Sequence, residues 1–538
     1  MNSHTDDTSA DNRLRQSYNV RHHSSELGRA SMEPANCETP IDTILSRCPE
    51  CGRAITSAIL DRGGQVYQRP HCPDHELTES LIFSDAELYR KLNEWNRLIF
   101  PPSEPAGVPA ALEAGSEIGS ASLSNPTLGV IDITNRCNFK CPMCFADATN
   151  DGEYYFLEPP VVERMLHALL DRPVPCRHIQ FSGGEPTLHP EFPRILRTAR
   201  DLGFTHIQVA TNGSRFASSD YLHACEDAGL HTLYLQFDGV SDEVYLKLRG
   251  QRLLDKKLAV VNNVVKTNMR LVLVPTILGS INLDQLGPIF RFALQHSKHV
   301  TGISIQPAAH VGRMEVENGS AAPFNLADMA KEFGEQTGLT RYPDDWFPLN
   351  AISLISFALD RVRRESSPAP ASDAHCSLGS YFYIDDDNKP FCLTRFFDLG
   401  EFLLGMAKVA PEPNRSTLER QISRVREFGR LAQCFDKREA PPGLTFQRLL
   451  CGLEGWEDKS RGRSAGWFRR GFNGMFVAGM HFMDDHSYNL RRLSRCIIQY
   501  VTTDGRLIPF CGYNAGARLR CGEELLRIGN VPPLHPAA

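Results

Sequence analysis

Three cysteines crowd one short stretch, NRCNFKCPMCFA, in which Cys137, Cys141 and Cys144 follow directly on the apolar run LGVIDIT at 128–134. A loop this tight can wrap three thiolates around one iron-sulfur cube. A four-iron cube needs a ligand for every iron, so three cysteines leave one iron open to a substrate or cofactor. Zinc or a redox thiol set is the competing reading, but a structural zinc ion takes a fourth side-chain ligand that this loop does not supply.

The elements that must carry such a loop are legible around it. Apolar runs at 128–134, 178–182, 206–211, 232–238, 270–276 and 301–307 predict strands, and helical stretches at about 158–171, 190–201, 218–229, 241–267 and 283–297 separate them. The alternation makes this an α/β chain of parallel, right-handed β-α units. Periodicity alone allows either a partial barrel or an open sheet. In both, ligands sit beyond the carboxyl ends of the strands.

A second constellation lies nearer the N-terminus, where Cys48-Pro-Glu-Cys51 and Cys72-Pro-Asp-His75 bracket a hairpin turning at Gly63-Gly64. Two such pairs complete a tetrahedron of sulfur and nitrogen donors, with zinc as first choice and a rubredoxin-like iron as the alternative. His71 competes with His75 for the fourth position. Cys376, Cys392, Cys434, Cys451, Cys496, Cys511 and Cys521 are scattered toward the C-terminus. Together they are candidate ligands of one or two auxiliary clusters, Cys376, Cys496 and Cys511 foremost because they flank strand-like segments with turns.

The central motif resembles the signature of the radical SAM superfamily. That resemblance implies a partial (β/α)6 barrel, a catalytic 4Fe-4S cluster on Cys137, Cys141 and Cys144, and S-adenosylmethionine on the open iron as the source of a 5'-deoxyadenosyl radical. It also assigns nucleotide-binding roles to SGGEP (Ser182, Gly183, Gly184, Glu185, Pro186), with the glycines admitting the methionyl group and Glu185 accepting from its ammonium. Thr211 and Asn212 are expected at the nucleoside, Gln236 and Asp238 at the same site, and Phe139 beside the cluster or adenine. Gly213 belongs to the same loop; Met143 shares the part given to Phe139.

Residues 481–514, with the N-terminal pairs and the central loop, further resemble a subgroup containing archaeal tetraether lipid synthase and radical SAM pterin methylases. Membership implies auxiliary 4Fe-4S clusters and a mononuclear metal. It also implies carbon-carbon bond formation or C-methylation at an unactivated carbon of a lipid or pterin-like molecule, with a methylene-folate-like one-carbon donor as an option. A flavodoxin or ferredoxin is the expected electron donor. The alternatives are a radical enzyme that modifies a peptide or protein, and a nonenzymatic metal-assisted assembly module.

With 538 residues, 41% hydrophobic and 23% charged, and a net charge of -6, the composition is that of a globular chain that does not call for nucleic acid. The absence of a signal-peptide core or an apolar run long enough to span a bilayer leads to an expected cytoplasmic location, with peripheral membrane contact open to a lipid enzyme. Sixteen cysteines then mean metal ligation, not disulfides. The expected organisation is a mobile arm at 1–40, a metal knuckle and helix at 41–100, a linker at 101–125, the radical SAM core at 126–322 and a C-terminal α+β auxiliary-cluster and capping domain at 323–538.

Overall fold

The computed structural model describes residues 38–100, 124–148, 152–315, 323–363, 369–407, 429, 431–449 and 472–518. The arm and linker expected from the sequence lie almost wholly outside the described residues, as do Cys451 and Cys521.

The N-terminal unit is an antiparallel meander of β1 (Glu38–Arg47), β2 (Ala54–Arg62), β3 (Gln65–His71) and β4 (Ser80–Phe83). Gly63 and Gly64 both take positive φ between β2 and β3, the conformation a two-residue hairpin loop demands. Helix α1 (Ala86–Ile99) follows, with the Asp85 carboxylate capping it by accepting from the Leu88 N–H. Its buried face carries Leu88, Tyr89, Leu92 and Trp95.

The central region alternates as expected. Strands β5 (Leu128–Thr134), β6 (His178–Gly183), β7 (His206–Thr211), β8 (Thr232–Gln236), β9 (Arg270–Val274) and β10 (Val300–Pro307) pair in parallel and in sequence order. Between them run α2 (Pro159–Leu170), α3 (Phe192–Asp201), α4 (Ser219–Asp227), α5 (Asp242–Arg249), α6 (Leu254–Val264) and α7 (Leu286–Gln295). The single helix expected at 241–267 is two, because Gly250 takes φ 74° and ends α5 with a left-handed cap.

The C-terminal region departs from the separate cap expected of it. Strand β11 (Ser377–Asp385) forms the anticipated hairpin with β12 (Pro390–Cys392), and β13 (Phe472–Met480), which the sequence did not suggest, pairs antiparallel with β11 and parallel with β10. At the opposite edge β14 (Ile498–Val501) joins β5 in parallel and turns at Asp504-Gly505 into β15 (Leu507–Pro509). The sheet order is thus Phe347–Pro348, β11, β13, β10, β9, β8, β7, β6, β5, β14, β15, an open path with two edges. The physical reason is plain: β5 and β10 would otherwise end the parallel array with rows of unpaired backbone groups. Among the described residues no helix is long and apolar enough to cross a membrane.

Candidate active site

The cysteine loop leaves β5 and is fixed against the end of β6. The Gly184 N–H donates to the Thr134 carbonyl and the Glu185 N–H to the Arg136 carbonyl, both at 2.8 Å. Gly183 has φ 132°, and a Cβ at Gly183 or Gly184 would collide with those same carbonyls. The glycines of SGGEP therefore make room for the cysteine loop itself.

Two arginines that no motif marked out hold the rest of the loop. Arg249, at the end of α5, donates to the Met143 carbonyl at 2.9 Å. Arg313 donates to the carbonyls of Cys141 at 2.9 Å and Ala148 at 2.8 Å. Met143–Cys144 also pairs antiparallel with Arg313–Met314.

The Cys137 sulfur accepts from the Phe139 N–H and the Cys144 sulfur from the Ala148 N–H, each at 3.4 Å. Burial, with the charge of Glu185 behind it, pushes the Cys137 thiol up to about 12, and burial raises Cys141 as well. Binding to a metal centre replaces the proton on such a thiol, so a cluster here would hold the sulfurs as thiolates. Phe139 packs with Tyr245 and Leu253 behind Cys137 and Cys141. Among the described residues, only Cys48, Cys51, Cys72 and His75 bring ligand atoms within 4.8 Å of one another. The central thiols are thus spread wider than a single ion requires, as suits a cube.

Beside the loop the structure gathers most of the residues expected at the nucleotide. Glu185 is buried; its Oε1 accepts from Thr187 N–H, Thr187 Oγ1 and Thr211 Oγ1, and its Oε2 from the Asn212 N–H at 2.8 Å. The side chain of Asn212 donates to Asn138 of the cysteine loop at 2.8 Å. Pro186 opens a short turn capped by Glu185, while Ser182 faces Asp132 and Tyr500.

Gln236 donates to Asp238, which is fully buried and paired with Arg249 through Nε at 2.7 Å and Nη2 at 2.8 Å. Lys257 completes this floor, donating to the Asn212 carbonyl at 2.6 Å and to Gln236 Oε1 at 2.7 Å, with burial pulling its ammonium down to about 7. Lys257 shares the buried face of α6 with Val260, Val261 and Val264, and a lysine at that helical spacing was a signal the sequence offered.

A second three-cysteine set assembles from distant segments. Cys376 precedes β11, Cys496 precedes β14 and Cys511 follows β15. Burial first, and then one another's charge, pushes Cys496 up to about 12 and Cys511 up to about 11. Arg492 stands over the set, its Nη2 3.7 Å from the Cys376 sulfur and 2.9 Å from the His481 carbonyl. The Met483 N–H donates to the Cys511 sulfur at 3.4 Å.

The structure does not bring Cys392 or Cys434 to these three. Cys392 is hydrogen-bonded to Ser380 and Thr394 and pairs across from Phe382, roughly 20 Å along β11 from Cys376 at a strand's rise per residue. Cys434 packs among Phe397, Phe435 and Phe446, its carbonyl accepting from Asp398.

A cavity of about 620 Å³ opens beside residues that pack against neighbours of both cysteine sets. Leu278, Ala308 and Met314 on its wall pack against Met143 of the central loop. Phe482, also on the wall, stacks on Phe145, which follows Cys144, and on Phe510, which precedes Cys511, with ring centres 5.2 and 4.9 Å away. Ser80, Leu81 and Ile82 of β4 close another side, so the N-terminal unit forms part of the wall. The polar rim is His310, Glu315, Asn325, Asp484, His486 and Ser487.

The N-terminal ligands converge. His75 Nδ1 lies 3.7 Å from the Cys48 sulfur and 3.4 Å from the Cys72 sulfur, close to the sulfur-nitrogen separation of about 3.5 Å that tetrahedral zinc bond lengths require. The hydrogen bond from His75 draws the Cys72 thiol down to about 7. His75, and not His71, completes the set.

The sequence profile of the Radical SAM superfamily matches residues 131–293, and that of the HMPTM N-terminal zinc ribbon domain matches residues 40–84. The 7,8-dihydro-6-hydroxymethylpterin dimethyltransferase of Methanocaldococcus jannaschii is 32% identical over 482 residues, covering 89% of this chain and 94% of that one. The GTP 3',8-cyclase of Psychromonas ingrahamii is 27% identical over 150 residues, 28% of this chain and 43% of that one. Among solved structures, Streptococcus suis SuiB bound to precursor peptide SuiA aligns at a TM-score of 0.34 with 14% identity, covering 56% of this chain and 69% of that one. A likeness that slight carries no argument about activity.

Proposed function

The chain belongs to the radical SAM superfamily, and from that premise we propose that it forms a carbon-carbon bond, as a C-methylation, on a pterin-like heterocycle. The observation that carries this reading is the cavity of about 620 Å³, whose wall residues Met314 and Phe482 pack on neighbours of both cysteine sets. Its size and polar rim suit one bicyclic ring with a one-carbon donor beside it, and fall well short of the long apolar tunnel that two lipid chains need. The near full-length similarity to a pterin dimethyltransferase supports the same substrate class.

Cys137, Cys141 and Cys144 would hold the catalytic 4Fe-4S cluster in this proposal, and the fit rests on three partly buried thiols presented by one loop. With S-adenosylmethionine bound, that cluster supplies a 5'-deoxyadenosyl radical that takes a hydrogen atom from the substrate. The chain's own work is positional. Glu185 and Asn212 present acceptor and donor groups at the ends of β6 and β7. Gln236, Asp238, Arg249 and Lys257 make a rigid polar floor, and Phe139 and Met143 exclude water from the cysteine loop.

Cys376, Cys496 and Cys511 would hold an auxiliary 4Fe-4S cluster, with Arg492 offsetting its negative charge. The ribbon's metal is structural: it folds β4 against the cavity, and β3 donates from Gln68 to the Tyr488 carbonyl of the C-terminal segment at 3.1 Å. A flavodoxin or ferredoxin supplies electrons.

The test is anaerobic turnover of the reconstituted protein with 6-hydroxymethyl-7,8-dihydropterin, S-adenosylmethionine, methylenetetrahydrofolate and a reductant, read by high-resolution mass spectrometry. A pterin heavier by one or two CH2 units, formed with 5'-deoxyadenosine, is the expected result. An unchanged pterin alongside S-adenosylmethionine cleavage would overturn the substrate class.

A further inference from the structure

Three side chains of the cavity rim, His310, Asp484 and His486, belong to neither cysteine set. His310 stands on the loop leaving β10, on the carboxyl rim of the sheet. Its N–H donates to Asp484 Oδ2 at 3.1 Å, and its ring Nδ1 lies 3.7 Å from the same oxygen. Asp484 Oδ1 accepts from the N–H groups of His486 and Ser487 at 3.1 Å and from Ser487 Oγ at 2.8 Å. The carboxylate is thus committed to protein donors, whereas the His310 side chain is 57% exposed and faces the cavity. The His486 ring stands perpendicular to it with centres 6.1 Å apart.

Charge decides what such a rim can take. Burial works against the Asp484 carboxylate, but hydrogen bonds from His310 and Ser487 outweigh it and hold the group well below the usual carboxylate range; the same contact lifts His310. Glu315 adds a second acidic group to the wall, and burial keeps His481 neutral by drawing it down to about 3. The rim offers a hydrogen-bond donor without net positive charge. A phosphate or carboxylate would meet Glu315 and Asp484, while a neutral acceptor would meet only the imidazole N–H.

We infer that His310 is a substrate-recognition residue whose ring, protonated beside Asp484, donates from Nε2–H to a ring nitrogen or carbonyl oxygen of a neutral heterobicyclic substrate, with Asp484 as the positioning residue that holds its charge and orientation. The inference rests on the pterin-like reading above and deepens it. The protonated ring carries a hydrogen on each nitrogen, so with Nδ1 toward Asp484 the Nε2–H is left to donate.

The experiment is calorimetric titration of 6-hydroxymethyl-7,8-dihydropterin into the reconstituted full chain with S-adenosylmethionine, without reductant. The His310→Ala variant is expected to bind about tenfold to a hundredfold more weakly, the loss of one charge-assisted hydrogen bond. His310→Gln keeps a neutral donor, so it recovers part of that loss and removes the pH dependence. In the unsubstituted protein, affinity falls as pH rises through the His310 pKa, and Asp484→Asn moves that fall to lower pH. Asp484 also secures the turn at His486 and Ser487, so His310→Gln is the deciding variant where Asp484→Asn unfolds. Equal affinity in the unsubstituted, His310→Ala and His310→Gln proteins would overturn the inference while leaving the pterin reading intact. No binding to the unsubstituted protein would overturn the pterin reading itself.

Discussion

The two three-cysteine sets differ in how the chain makes them. Cys137, Cys141 and Cys144 come from one loop after one strand, so their spacing is itself the motif and local geometry builds the site. Cys376, Cys496 and Cys511 come from three segments flanking β11, β14 and β15 at opposite edges of the sheet, and only the closing of those edges brings them together. A site made by a loop survives disturbance elsewhere. A site made by tertiary closure depends on every contact that closes it, which for the C-terminal set includes Arg492, Asp373 and the N-terminal helix through the Tyr89 carbonyl and His375.

The largest effect expected from that contrast is replacement of Cys137, Cys141 and Cys144 together by Ala. S-adenosylmethionine cleavage should fall to background and the iron content drop by one cube, while the ribbon metal stays. Replacing Cys376, Cys496 and Cys511 should also remove one cube. Radical formation should persist there, so 5'-deoxyadenosine would accumulate without the methylated product, a split readable by chromatography of a single reaction.

Arg249→Leu comes next. It strands the buried Asp238 carboxylate and frees the Met143 carbonyl of the cysteine loop, at a cost of about 3–5 kcal/mol in thermal or denaturant unfolding of the reconstituted protein. The counterpart at the C-terminal set, Asp373→Asn, should cost less, about 2 kcal/mol at neutral pH. Burial opposes the Asp373 charge but His375, Arg492 and Arg495 outweigh it and hold its pKa far below the usual range. A depressed carboxylate stabilises above its unfolded pKa, so the difference between the two proteins should shrink as pH falls below about 4. A difference that stays flat across that window would refute the ion-pair account.

Much of the catalytic half was legible because its signals are local. The runs LGVIDIT and HIQVAT are strands over the same residues that the sequence marks, 128–134 and 206–211. The paired cysteines with His75 converge because a four-residue knuckle has little choice of geometry. What was not legible depends on partners far away in sequence. β13, FNGMFVAGM, carries two glycines that weaken its strand signal, and it forms because β10 and β11 flank it. SGGEP was readable as a motif but not in its physical cause, since nothing local shows that Thr134 and Arg136 will lie against its glycines. Cys392 was a candidate behind Cys376, and the fold separates the two by placing it in β12 opposite Phe382.

The most direct test of the account is electron paramagnetic resonance of the reduced protein, with and without S-adenosylmethionine, in the two triple-alanine variants. If the central loop holds the open iron, S-adenosylmethionine will perturb the cluster signal that remains after Cys376, Cys496 and Cys511 are replaced, and will leave unchanged the signal that remains after Cys137, Cys141 and Cys144 are replaced. The reverse pattern, a response to S-adenosylmethionine only at the C-terminal set, would contradict it.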